Sequence, residues 1–165
     1  MSTIRIIPIL TFLLLSIFLI DKVTASDREK KIQLRGSALD SSYTFTTVSQ
    51  LEKLTQSKFT IFNIYKKETI NYRGILLKDF VNTFAKKSIT KIIIEAIDGY
   101  KIVFEKKEWH DWDIMFALRE NGKLLTTRMN GPMKVVIPYE KSIGIDETYF
   151  APKWIWAIKK ITFVK

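Results

Sequence analysis

The segment IIIEAIDGYKIVF, residues 92–104, carries the clearest local structural signal in the sequence. Two apolar runs, residues 92–96 and 100–104, lie on either side of the dipeptide Asp98-Gly99. Asp-Gly between hydrophobic runs is a strong local signal for a β-hairpin, because both residues tolerate the positive φ angles that such turns require. We therefore expect two antiparallel strands joined by a tight turn at Asp98-Gly99.

Further strand signals extend from this hairpin in both directions. Asn121-Gly122 predicts a second hairpin, between the apolar residues 115–118 and 124–125. Runs rich in β-branched and aromatic residues predict more strands. These runs are residues 32–34, 41–48, 59–65, 135–137 and 154–164, the last with Trp154 and Trp156 on one face.

Helices are predicted at two places between the strands. Residues 47–50 and residues 49–52 both fit a capping box, in which Ser or Thr opens a helix and Glu or Gln follows three residues later. Between Leu76 and Phe84, apolar side chains recur at the spacing of an amphipathic helix. Many short strands, with no alternation of strand and helix, predict a β-rich α+β single domain with two or three short helices.

The N-terminus is typical of a secretory signal peptide. Residues 1–5 carry one basic side chain, residues 6–20 are almost wholly apolar, and Val23-Thr24-Ala25 provides small or short side chains before Ser26. The apolar run has 15 residues, fewer than the roughly 18 to 20 that cross a bilayer core. We therefore expect cleavage after Ala25, a signal peptide over residues 1–25 and no membrane span in the exported domain, residues 26–165.

Composition excludes several kinds of chemistry. The chain has no cysteine, so disulfides, thiolate metal sites and thiol catalysis are ruled out. Export without disulfides is typical of a bacterial periplasm. The net charge is +10, and +9 once the signal segment with Arg5, Lys22 and Asp21 is removed. The lysines are scattered in pairs along the chain, which is typical of a solvated basic surface, and we expect no nucleic-acid partner.

No established catalytic motif is present. The one histidine, His110, lies in WHDWD, residues 109–113, which is interpreted as an exposed loop or a helix start. A metal there would need ligands from separated positions. The acidic pairs Asp111 and Asp113, and Asp146 and Glu147, occur in turn-like sequence, where carboxylates are common for backbone reasons.

Several segments, in order, resemble the oxidoreductase molybdopterin-binding domain, the sulfite-oxidase-like family. The likeness covers about residues 43–164, which is most of the exported domain. The segments are VSQLEKL (residues 48–54), YRGILLKDF (72–80), DGY (98–100), FAL (116–118), NGKL (121–124), GPMKVVIP (131–138) and KWI (153–155) followed by Ile161.

The resemblance implies an α+β fold with mixed sheets around a pocket of pterin size. In the catalytic members a cysteine thiolate binds molybdenum, and no side chain of this cysteine-free chain replaces it. The family's arginine in the Gly-Pro segment is Lys134 here, which keeps the charge without the bidentate fork. Catalytic members also travel folded with their cofactor, by a twin-arginine signal that this chain lacks.

We therefore expect a periplasmic or secreted member of this fold without molybdenum catalysis, which acts as a small-ligand-binding or accessory module. The expected partner is a small anionic ligand, or a membrane sensor or enzyme. No cofactor is expected, and molybdopterin enters only through the resemblance. The alternatives are a molybdopterin-dependent oxidoreductase with atypical metal ligation, and a filled pocket that leaves only a docking surface.

The resemblance also selects candidate ligand-binding residues, with none assigned as catalytic or metal-binding. They are Asp98, Tyr100, Lys134, Lys153 and Trp154. Lys134 and Lys153 are expected to converge on an anion, so that replacing either with Met weakens binding about tenfold. Turn geometry for Asp98 and strand packing for Trp154 are the structural alternatives.

Overall fold

A computed structural model of the chain describes residues 25–63, 65–138 and 147–165. Apart from Ala25, the predicted signal segment lies outside these residues, as does Asp146. Within the described ranges, every helix falls short of the length and hydropathy that a membrane span requires.

In the described part of the chain, ten strands form two five-stranded sheets. The strands are β1 (Lys31–Gly36), β2 (Phe45–Thr47), β3 (Ser57–Asn63), β4 (Glu68–Leu76), β5 (Lys91–Ala96), β6 (Lys101–Glu105), β7 (Met115–Glu120), β8 (Lys123–Leu124), β9 (Lys134–Val136) and β10 (Ile158–Val164). The first sheet has the order β2-β1-β10-β5-β6 and is mixed, because β1 and β10 are parallel. The second has the order β3-β4-β7-β8, with β9 also paired to β7.

Short helices connect the strands. They are α1 (Val48–Leu51), α2 (Leu77–Phe84), α3 (Lys106–Asp111) and α4 (Glu147–Phe150), and single 3-10 turns follow at Thr127–Met129 and Ala151–Lys153. The predicted β-rich α+β class with mixed sheets is confirmed.

Helix α2 joins the two sheets. Its apolar stripe is buried, as the spacing in the sequence predicts. The ring of Phe80 contacts Phe116 on β7 of the second sheet, with centroids 4.9 Å apart, and Phe163 on β10 of the first, at 6.3 Å. Because one side chain packs on both sheets, the domain has one continuous core.

The hairpin predicted at Asp98-Gly99 is present. Strands β5 and β6 pair antiparallel, and Gly99 has φ +91° in the turn between them. The second predicted turn also forms, with positive φ at Asn121 and Gly122. Helix α1 begins at the first of the two alternative capping boxes, because Thr47 accepts a hydrogen bond from the Gln50 N–H and the Gln50 side chain accepts one from the Thr47 N–H.

Several predicted strand boundaries are wrong: the strand predicted over residues 41–48 is only Phe45–Thr47, and the one predicted over 59–65 ends at Asn63. The last strand begins at Ile158 and not at Trp154, because Ala157 has φ +52° and breaks the extended run. Trp154 and Trp156 therefore lie in an irregular segment before β10. His110 is exposed as predicted, but it lies on helix α3, where Glu105 and Glu108 form a capping box.

Candidate functional site

An aromatic cleft opens where the irregular segment before β10 meets the turns of both sheets. We use the name aromatic cleft for two adjoining cavities that share Tyr65, Trp154 and Trp156. The outer lobe, about 280 Å³, also has Asp98 and Tyr100 in its wall. The inner lobe, about 170 Å³, is also lined by Asn63, Lys66, Tyr72, Asn130, Lys134 and Val135.

Backbone hydrogen bonds to both sheets hold the segment that carries the tryptophans. The Val135 N–H of β9 donates to Ile155 O at 2.8 Å, and the Ile97 N–H after β5 donates to Ala157 O at 2.9 Å. The Ala157 N–H in turn donates to Asn130 O at 2.8 Å. The segment is therefore fixed at the junction of the sheets without being a strand, and its side chains need not alternate between two faces.

The two tryptophans consequently have different environments. Trp154 is 5% exposed and its ring contacts Tyr72 of β4, whereas Trp156 is 39% exposed. Tyr65 lies beside both tryptophans, with centroid distances of 6.0 Å to Trp154 and 5.6 Å to Trp156. The cleft thus has a buried aromatic floor at Trp154 and exposed aromatic walls at Tyr65 and Trp156.

Two tyrosine hydroxyls fix the rim of the outer lobe. Tyr65 donates to Ala151 O at 2.5 Å, and Tyr100 donates to Pro152 O at 2.7 Å. Burial, and to a lesser extent the neighbouring Tyr100, raise the pKa of Tyr65, so its hydroxyl stays protonated at neutral pH. Each tyrosine hydroxyl donates its proton to a backbone carbonyl. Towards a ligand, the phenol oxygens can therefore act only as hydrogen-bond acceptors.

Asp98 gives the outer lobe a negative charge. Its Oδ1 accepts a hydrogen bond from the Tyr100 N–H at 3.0 Å, which holds the carboxylate beside the aromatic wall. Among the described residues, Asp98 is the only Asp, Glu, Lys, Arg or His side chain that lines this lobe.

The inner lobe carries two lysines with a shared carboxylate. Lys66 and Lys134 both donate to Glu120 on β7, Lys134 at 3.1 Å. Burial opposes ionisation of Glu120, but the two ammonium groups outweigh it and lower its pKa. Burial also lowers the pKa of Lys134, and Glu120 offsets this only in part. The charge of Lys134 is therefore compensated only in part, because one carboxylate is shared by two ammonium groups.

Lys153 lines neither lobe of the cleft. Its ammonium group forms an ion pair with Glu108 and lies over the ring of Tyr149 at 4.4 Å from the centroid. The structure thus brings four of the five candidate residues, Asp98, Tyr100, Lys134 and Trp154, to the cleft. It does not bring the ammonium groups of Lys134 and Lys153 together.

The sequence interpretation missed Tyr65 and Trp156 as cleft residues. Tyr65 closes an aromatic run that predicts a strand, and the alternating pattern of residues 154–164 places Trp156 with Trp154 on one face of a predicted strand. Strand β3 ends at Asn63, so Tyr65 lies outside it. Strand β10 begins only at Ile158, so Trp156 also lies outside a strand. The four tryptophans are a sequence signal for a ligand groove, but the alternation of Trp154 and Trp156 favours core packing on one strand face.

The other candidate groups do not assemble a metal site in the described part of the chain. No cluster of three or more His, Cys, Asp or Glu side chains occurs there. Asp111 contacts His110 at 3.3 Å and pairs with Lys107, and Asp113 pairs with Lys78 at 2.9 Å.

Comparisons with known proteins support the fold. Neither the protein-family models nor the curated protein sequences match this chain. Among solved structures, it is similar to the sulfane dehydrogenase SoxCD from Paracoccus pantotrophus, with a TM-score of 0.61 and 14% sequence identity. The similarity covers 84% of this chain but only 39% of the SoxCD chain. At this identity the comparison shows a sulfite-oxidase-like fold and nothing about activity.

The donor groups of the cleft do not fit a molybdenum–pterin cofactor. The chain has no cysteine to supply a thiolate. The two ammonium groups of the inner lobe lie against Glu120, so a cofactor phosphate would meet a carboxylate as well as the lysines.

Proposed function

We propose that the protein is an exported binding module without molybdenum catalysis, and that its aromatic cleft binds a small organic cation. The choice of an organic cation as the ligand rests on one observation about the outer lobe. This lobe combines aromatic rings with acceptor oxygens and one carboxylate, and no ammonium or guanidinium group of the described residues lines it. The sulfite-oxidase-like fold positions this cleft but supplies no reaction.

The chemistry of the lining favours positive charge. The faces of Trp and Tyr rings attract cations, by about 0.5 to 2 kcal/mol per contact. Tyr65, Tyr100 and Trp156 are between 39% and 51% exposed, so their rings are accessible to a ligand. Asp98 adds a full negative charge at the same wall, and the phenol oxygens cannot donate hydrogen bonds because their protons are engaged.

The net positive charge of the protein repels a cationic ligand in the outer lobe only weakly. Interactions between exposed charges are screened beyond about 8 to 10 Å in physiological salt. Lys66 and Lys134 line the adjoining lobe, but both pair with Glu120. A cation in the outer lobe therefore interacts first with Asp98 and the aromatic rings.

An accessory role is part of the proposal. In this role, the domain with its bound ligand would interact with a membrane sensor or an enzyme partner. Export is proposed from the N-terminal signal and is consistent with the absence of cysteine.

Choline and its uncharged isostere 3,3-dimethylbutan-1-ol test the ligand class directly. Trp156 is exposed in the cleft wall, so intrinsic tryptophan fluorescence should report binding. We expect choline to bind at least tenfold more tightly than the neutral alcohol, since charge is the only important difference between them. Equal affinities, or no binding of choline at millimolar concentration, would overturn the cation proposal.

Cleft variants locate the binding. Trp156→Ala should weaken choline binding about three- to thirtyfold, from the loss of one cation–π contact. Asp98→Asn keeps the acceptor for the Tyr100 N–H but removes the charge, and should also weaken choline binding. Phe45→Ala is the matched control, because Phe45 is 39% exposed on β2, away from the cleft lining. An equal loss with Phe45→Ala would place binding elsewhere.

Elemental analysis decides between the binding module and the oxidoreductase. Protein purified from a host that makes molybdenum cofactor should carry far less than one molybdenum per chain. A near-stoichiometric metal content would restore the alternative of a molybdopterin-dependent oxidoreductase with atypical ligation.

A further inference from the structure

A second, larger cavity lies between helices α2 and α3, away from the aromatic cleft. Its volume is about 670 Å³, within the range of about 300 to 1,000 Å³ that is typical of small-molecule sites. Its apolar lining consists of Leu39, Val81, Ala85, Ile89 and Trp109. We call it the basic cavity, because its other lining residues are mostly basic: Lys78, Lys86, Lys87, Lys106 and His110, with Asn82.

The charges of the basic cavity are only partly compensated. Lys78 pairs with Asp113 at 2.9 Å, and Lys106 donates to the backbone carbonyl of Lys87 at 3.3 Å. Lys86 and Lys87 form no ion pair with any described residue. Lysines that lie in separate pairs along the sequence thus meet at one cavity with an excess of positive charge.

The backbone that carries these two lysines is well anchored. Ala85, which directly precedes them, forms a β-bridge with Ala38, and the Lys86 N–H donates to Ser37 O at 3.0 Å. On the apolar side, Leu39 is 53% exposed at the cavity, while Ile89 and Trp109 form a buried floor. Apolar surface beside fixed cationic positions is complementary to a molecule with an apolar body and an anionic head.

We infer that the basic cavity is a second binding site, which takes a free organic anion with an apolar body. The anionic head lies near Lys86 and Lys87, where charge-assisted hydrogen bonds can form, and the apolar body covers Leu39 and Trp109. This site is separate from the aromatic cleft and would hold even if the cleft bound no cation.

The fluorescent anion 8-anilinonaphthalene-1-sulfonate and its neutral analogue N-phenyl-1-naphthylamine test the inference with the full exported chain. We expect the sulfonate to bind at least tenfold more tightly, to lose affinity as salt is added, and to be displaced by laurate. Equal binding of the neutral analogue would overturn the inference, since it would indicate a non-specific apolar surface.

Paired variants locate the anion. Lys86→Gln with Lys87→Gln should weaken sulfonate binding about tenfold, whereas Lys58→Gln with Lys123→Gln changes the net charge equally at exposed positions elsewhere and should have little effect. Thermal unfolding of both proteins checks that they remain folded. Equal losses in the two variants would overturn the inference, because they would show a general charge effect.

Two further measurements distinguish the basic cavity from the aromatic cleft and from a lipid-binding surface. Choline should not displace the sulfonate, and displacement would place the anion in the aromatic cleft and overturn the inference. Vesicles of phosphatidylglycerol are the second arm. Binding to vesicles without binding of free laurate would also overturn it, and would indicate a lipid surface instead.

Discussion

The carboxylate of Glu108 and the ammonium group of Lys153 form an ion pair that is largely closed to solvent, with side-chain exposures of 7% and 16%. The other oxygen of Glu108 accepts a hydrogen bond from the Glu105 N–H at 2.7 Å, so the same carboxylate also caps helix α3. Tyr149 donates to Glu108 at 2.8 Å. Lys153 is thus held against helix α3, while the adjacent Trp154 lines the cleft.

Lys153→Met should therefore lower stability and leave the cleft unaffected. Removing one partner leaves the buried Glu108 without its cation, and we expect a loss of about 2 to 4 kcal/mol in the free energy of unfolding. Urea unfolding measures this loss, and adding Glu108→Gln to the variant should recover part of it. Unchanged stability together with a tenfold loss of ligand affinity would instead support the binding role that the family resemblance suggests.

The variant Lys134→Met tests whether Lys134 stabilises the fold through Glu120 or contributes to ligand binding. Glu120 would keep only Lys66 as a cationic partner, so its pKa should rise and the free energy of unfolding should fall by about 1 to 3 kcal/mol. Choline affinity should stay within about twofold, because Lys134 does not line the outer lobe. If Lys134→Met abolished binding of a small anion while choline failed to bind, the anionic ligand expected from the sequence would be the better choice.

Glu95 makes stability depend on acidic pH. Hydrogen bonds from Lys160 and Lys159 lower the pKa of Glu95 from 4.5 to about 2. Because the folded-state pKa is below the unfolded one, this stabilisation is complete above about pH 4.5 and disappears as the pH falls to about 2.

The variant Glu95→Gln tests that pH window. It should be less stable than the parent near neutral pH, and the difference in unfolding free energy should shrink as the pH falls through the same range. Urea titrations at several pH values measure it. A difference that stays constant down to pH 2 would show that Glu95 acts through packing and not through its charge.

Gly74→Ala should be strongly destabilising at the pairing of β4 with β7. A Cβ atom at this position would lie 2.0 Å from Phe116 O, so the two strands would have to separate. We expect a loss of at least about 2 kcal/mol in unfolding free energy, as for other overpacked sites. Gly122→Ala is the contrast, because its Cβ meets no atom within 4 Å and only the positive φ costs about 1 kcal/mol. Equal losses would mean that β4 can shift at little cost.

Processing of the N-terminus is the last prediction. The apolar run has 15 residues, fewer than the roughly 18 to 20 that cross a bilayer core, and we interpret Val23-Thr24-Ala25 as a cleavage site. N-terminal sequencing of protein from the periplasmic fraction should begin at Ser26 or within about two residues of it. Full-length protein in the membrane fraction would contradict the prediction.

Local signals account for the parts of the fold that the sequence predicts well. Gly99, Asn121 and Gly122 adopt positive φ in the two predicted turns, and Thr47 with Gln50 begins a helix through side-chain hydrogen bonds. The resemblance in residue order adds the sulfite-oxidase-like class, and the similarity to SoxCD supports that class.

The direction of individual side chains depends on long-range pairing. Lys153 and Lys134 look equivalent as basic residues in family-like segments, yet each binds a carboxylate that is distant in sequence, Glu108 and Glu120 respectively. Sequence spacing carries no information about these partners, because ion pairs form only once the strands and helices are assembled.

The sequence alone therefore identifies a cysteine-free, basic α+β domain with its hairpins and its main helix, and it predicts an N-terminal signal. The positions of the aromatic cleft and the basic cavity depend on the tertiary structure. Backbone bonds from both sheets hold Trp156 open to solvent, and the packing of α2 beside α3 brings Lys86, Lys87 and Lys106 to one cavity. Turns and caps depend on neighbours a few residues away, whereas a cavity depends on surfaces that only folding brings together.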